Sequence, residues 1–70
     1  MQPELKSARE IAEVVASRLR IPGAYVSVHS SDALGWTATV ETRPGATMFA
    51  QQLVEEIARE LRPLYSLKPD

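Results

Sequence analysis

A serine, a histidine and a carboxylate lie within one short stretch of this chain. The run 24–42 reads AYVSVHSSDALGWTATVET and holds Ser27 and His29, followed by Glu41. A serine nucleophile needs a base within hydrogen-bond reach and a third group that orients the base. The spacing here works against that arrangement. Apolar and polar residues alternate around Ser27 and His29, so on a strand they stand on one face, roughly 7 Å apart at their bases. Glu41 would oppose Tyr25 if the intervening loop were residues 31–35, and would at best be diagonal to His29 if it were residues 33–35. A flat two-stranded surface also offers no oxyanion donors and no pocket that excludes water. No catalytic residue is expected. The face carrying Tyr25, Ser27, His29, Thr37 and Thr39 is read instead as a partner-contact surface.

A second constellation is basic. Antiparallel pairing of the two strands would bring Arg18 and Arg20, at the end of a first helix, towards Arg43 and the start of a second. Free backbone N–H groups after Pro44 and Gly45, with Thr47 and the guanidinium groups, suit a phosphate or carboxylate. The plainer account is that Arg18 and Arg20 complement the C-terminal dipole of the first helix and Arg43 is a solvated strand end. No glycine-rich phosphate loop accompanies them. Arg18, Arg20, Arg43 and Thr47 therefore define the alternative function, binding of an anion or a nucleic acid.

Composition narrows the field further. Seventy residues allow a single domain, 1–70, and a chain so short buries only about 60% of its unfolded surface. Small scaffolds compensate with disulfides, metals or association. With no cysteine and a single histidine, disulfides and Cys- or His-built metal sites are excluded, and no cofactor or metal is expected. Association remains. The net charge of −1 argues against a general nucleic-acid binder, which needs a basic excess. No apolar run approaches membrane-spanning length, and the opening MQPELKSARE is too polar for a secretory signal. Absence of cysteine agrees with a reducing cytoplasm. Six arginines against two lysines, with nine alanines, point to a GC-rich bacterial genome.

The elements that must position these residues can be read from periodicity. Leu5, Ala8, Ile11, Ala12, Val15, Ala16 and Leu19 recur at helical spacing, which predicts a helix from Pro3 that ends at Ile21-Pro22-Gly23. Its apolar arc is wide enough to touch more than one neighbour. Val26, Val28, Trp36, Ala38 and Val40 form the oily face of a hairpin closed by Gly35 in a left-handed conformation. A second helix is predicted from Ala46 or Thr47. Ala46, Phe49, Ala50, Leu53, Ile57, Leu61 and Leu64 mark its buried face, with Val54 and Ala58 flanking and Gln51, Glu55, Arg59 and Arg62 towards water. Pro63 should end or kink it near Arg62, and part of the apolar tail Leu64, Tyr65 and Leu67 should dock.

The expected fold class is α+β in the order αββα, two helices on one face of an antiparallel hairpin. The run 25–65 is similar in order to the hairpin-plus-helix part of the DNA-damage-inducible recombinase regulators. It lacks their leading strand and strongly acidic last helix, so no function is carried over. A lone hairpin is marginal in water, and joining edges in a homodimer would give a four-stranded sheet. The function expected is that of a small non-enzymatic interaction module, an adaptor or regulator with a homodimer and a protein partner, and with neither nucleic acid nor membrane as its target.

Overall fold

Ser7 and Glu10 decide where the first helix starts. In the computed structural model, which describes residues 2–43 and 45–69, the Ser7 hydroxyl accepts from the Glu10 N–H at 3.1 Å. The Glu10 carboxylate in turn accepts from the Ser7 N–H at 2.9 Å. This reciprocal box satisfies two otherwise orphaned donors and starts helix α1 at Ala8–Leu19. The helix expected from Pro3 is thereby corrected: Glu4–Lys6 form a short strand, β1, and Leu5 is exposed. At its other end Arg20 closes α1 in the left-handed region at φ 55°, donating its N–H to the Ala16 carbonyl. A turn follows in which Gly23 takes φ 79° and Ala24 donates to the Ile21 carbonyl at 3.2 Å.

The hairpin has the two faces its alternation predicts. Strands β2 (Tyr25–Ser31) and β3 (Gly35–Glu41) pair antiparallel, with Val26 opposite Val40, Val28 opposite Ala38 and Ser30 opposite Trp36. Of the two registers open to the sequence, this is the one that sets Glu41 against Tyr25. Gly35 has φ 86°, and the Ser31 hydroxyl accepts from the Leu34 N–H at 3.2 Å to hold the tip.

Helix α2 spans Thr47–Leu61 and is closed by Arg62 ahead of Pro63. Its buried stripe is Ala50, Val54, Ala58 and Leu61. That stripe is rotated from the expected one: Phe49 and Leu64 are 63% and 52% exposed, whereas Val54 and Ala58 are fully buried. Close approach of α2 to β3 favours small side chains between them, so the bulky ones move to the flanks. After α2 the tail docks as expected, forming strand β4 (Tyr65–Leu67). It pairs in parallel with β1, Glu4 opposite Tyr65 and Lys6 opposite Leu67.

The architecture is therefore α+β in the order βαββαβ, with a two-stranded antiparallel sheet and a separate parallel pair. The αββα order is corrected by these two outer strands. Ile11, Val15 and Leu19 of α1, the α2 stripe, and Val28, Trp36, Ala38 and Val40 of the hairpin form one core. Trp36 is its largest buried side chain, and its indole N–H donates to the Tyr65 carbonyl at 3.0 Å. That bond ties the parallel pair to the hairpin.

Candidate functional site

The outward face of the hairpin is where sequence placed Tyr25, Ser27, His29, Thr37 and Thr39, and all five share it. Ser27 faces Thr39 and His29 faces Thr37, and His29 Nε2 lies 3.4 Å from Thr39 Oγ1. Glu41 stands opposite Tyr25, four strand positions from His29, or about 13 Å. Serine, base and carboxylate are not assembled. Tyr25, at 68% exposure, leads this polar face.

The basic constellation is distributed. The Arg18 guanidinium meets the Glu60 carboxylate at 3.6 Å. Glu60 lies almost four helical turns beyond Thr47, about 20 Å along α2, so this arginine is held away from that helix's start. Arg20 is occupied with closing α1 and its side chain is exposed. Arg43 and Thr47 do come together: the Arg43 carbonyl accepts from the Ala46 N–H at 3.1 Å and from the Thr47 hydroxyl at 3.5 Å. Ala46 provides no side-chain cap and the first turn of α2 carries no acidic residue.

The two edges of the hairpin differ, and this difference is the most informative geometry in the molecule. The outer edge of β3 is covered by side chains of α2. The Gln51 amide accepts from the Val40 N–H and donates to the Ala38 carbonyl, each at 3.1 Å. It thereby stands in for a neighbouring strand. One step along, Arg62 Nε donates to the Trp36 carbonyl at 3.0 Å. Its guanidinium is held by Glu55 at 3.0 and 3.4 Å and lies 5.6 Å from the Trp36 ring centre. Gln51 and Arg62, both expected to face water, are thus fixed to β3, and Glu55, also expected there, holds Arg62 across the helix end.

These contacts also define the other edge. In an antiparallel pair a residue points its N–H and C=O to the same side. Trp36, Ala38 and Val40 point away from β2, so their partners Ser30, Val28 and Val26 point away from β3. Among the described residues nothing bonds to those backbone groups. They open onto a cleft of about 600 Å³ between β2 and the Ala8, Ala12 and Ala16 side of α1, with Arg9 and Glu13 at its rim. A second cleft of about 490 Å³ shares Ala8 and Val28 and carries the groove on to Ser30 and Lys68. The groove therefore follows β2 from Ala24 to Ser30.

Neither the Gln51 clamp nor this groove was visible to sequence reasoning, although the -xxx- repeat Ala8, Ala12, Ala16 beside a strand marks where a close neighbour fits. Glu10, at the foot of the same helix, has its carboxyl held below its ordinary range, first by the Ser7 backbone N–H and then by the Ser7 hydroxyl. Among the described residues no helix is long and apolar enough to cross a membrane. Comparison with protein-family models, curated proteins and solved structures finds no match to this chain.

Proposed function

We propose that this chain is a small non-enzymatic protein-interaction module, an adaptor or regulator that works by adding a strand at the β2 edge. The observation behind this reading is the asymmetry of the hairpin. One edge is closed by Gln51 and Arg62, and the other leaves the Val26 and Val28 backbone groups unbonded above a groove. An unpaired edge is a template for another strand, and proteins that do not use one normally blunt it. The strand it takes is that of a second copy, joined as a homodimer with a four-stranded sheet in the order β3-β2-β2-β3. The outward faces then merge, and Tyr25, Ser27, His29, Thr37 and Thr39 of both copies offer a broad polar surface to a further protein.

Size supports the same reading, because a second copy extends a core that seventy residues can only make small. The alternative, anion binding through Arg18, Arg20, Arg43 and Thr47, has less support, since Arg18 is engaged by Glu60. Sedimentation at micromolar concentration tests the proposal. The wild type should run at twice the 7.7 kDa chain mass. Ser30→Pro and Val26→Pro remove N–H groups that face away from β3, a placement sheets tolerate for proline. Both variants should be monomers with native circular dichroism. A wild type that stays at 7.7 kDa refutes the dimer.

A further inference from the structure

The groove holds enough detail to say how the second copy sits. It runs from Ala24 to Ser30, and its midpoint is Ser27. Backbone groups that face outward must meet outward-facing groups of the added strand. A two-fold axis at Ser27 does this over the full groove. Val26 then exchanges both hydrogen bonds with the partner's Val28, and the Ala24 carbonyl accepts from the partner's Ser30 N–H, the Ala24 N–H being held by the Ile21 carbonyl.

Helix α1 sits at a fixed height against this axis. It runs opposite to β2, because its last residue leads through a short turn to the start of that strand. Ala8 shares the groove with Val28 and Ser30 at the far end. Ser27 is one strand step before Val28, about 3.3 Å, which corresponds to about two residues of helix. The axis therefore passes level with Glu10, one residue or about 1.5 Å from Ile11, the midpoint of Arg9 and Glu13. Those two are the charged residues on the groove side of α1, they are of opposite sign, and within one chain they already lie 3.7 Å apart. The alanines Ala8, Ala12 and Ala16 leave room for two helices to approach side by side.

From this we infer that two copies of the chain pair β2 to β2 antiparallel about an axis at Ser27, with Arg9 of each α1 facing the partner's Glu13. The inference rests on the edge-joined dimer proposed above and adds what makes the edge select its own kind. The charges are self-complementary: rotation by half a turn places each sign against its opposite, whereas a strand of other origin brings no such match.

A single thiol tests the axis, and the chain's lack of native cysteine keeps the experiment clean. Ser27→Cys should form an intermolecular disulfide rapidly on mild oxidation. His29→Cys, about 13 Å from its own copy across this axis, should not. Charge exchange tests the pairing. Arg9→Glu and Glu13→Arg should each raise the dimer dissociation constant about tenfold, because both symmetric contacts turn repulsive. The double exchange should return it to within about threefold of wild type, and mixing the two single variants should yield heterodimers. A dimeric wild type in which Ser27→Cys fails to cross-link, or in which the charge variants dimerise unchanged, overturns this inference and leaves the dimer standing. A monomeric wild type overturns the dimer itself.

Discussion

Replacing Gln51 with alanine removes the one side chain that imitates a strand along β3. Two hydrogen bonds of 3.1 Å are lost, and the Val40 N–H and Ala38 carbonyl are left without partners in a partly buried setting. A neutral hydrogen bond contributes about 1 kcal/mol net, and an orphaned buried group costs about 1–3 kcal/mol. Water reaches this half-buried edge in part, which places the expected loss at about 2 kcal/mol. For a domain of this size that corresponds to a fall in Tm of about 8–16 °C. Urea denaturation followed by tryptophan fluorescence measures it, at one fixed protein concentration because the proposed dimerisation would contribute to apparent stability. Gln51→Glu sharpens the test. The carboxylate still accepts from Val40 but meets the Ala38 carbonyl with like charge, so it should recover no more than half of the loss. The same alanine variant uncovers a second edge. With β2 and β3 both open, chains should join without closing, and scattering should rise above the dimer value with concentration. A Gln51→Ala protein within 0.5 kcal/mol of wild type, still confined to dimers, would refute the role given to this residue.

Three further outcomes follow from single sites. Arg20 occupies the left-handed region, where a side chain costs about 1–2 kcal/mol, so Arg20→Gly should stabilise the fold by about 1 kcal/mol in urea titration. Trp36→Phe keeps the ring in the core but removes the N–H that holds the Tyr65 carbonyl. Amide exchange at residues 65–67 should accelerate well before the rest of the chain is affected, and equal exchange in both proteins would count against the latch. Glu10 has a depressed carboxyl pKa in the fold, so its contribution is complete above the ordinary value of 4.5 and disappears as pH falls through the lower folded value. Glu10→Gln should flatten that part of the acid unfolding curve.

The hairpin was legible because period-two alternation over seven-residue strands leaves few alternatives, and Gly35 marks its tip. The end of α2 was legible from Pro63. The outer strands were not, since three residues such as Glu-Leu-Lys carry no period and their pairing joins opposite ends of the chain. Ser7 and Glu10 did offer a signal, Ser-x-x-Glu, that outweighs Pro3 as a helix start. On α2 two apolar stripes competed, and bulk favoured Phe49 and Leu64 where packing took Val54 and Ala58. The clamp on the β3 edge was hidden for a different reason. Polar residues such as Gln51, Glu55 and Arg62 read as solvated until the strand they reach is placed beside them.

The parallel pairing of β1 with β4 has a mechanical consequence. Glu4 donates to the Leu64 carbonyl at 3.0 Å and Lys68 donates to the Lys6 carbonyl at 2.8 Å, so bonds bracket the pair at both ends. Because the strands run the same way, tension entering at Glu4 and leaving at Leu67 pulls along both strands in opposite senses. Every bridging bond is then loaded at once in shear, and none can be peeled open first. A module stretched between two anchors would resist through this short clasp, and the hairpin edge would keep its shape until the clasp slipped.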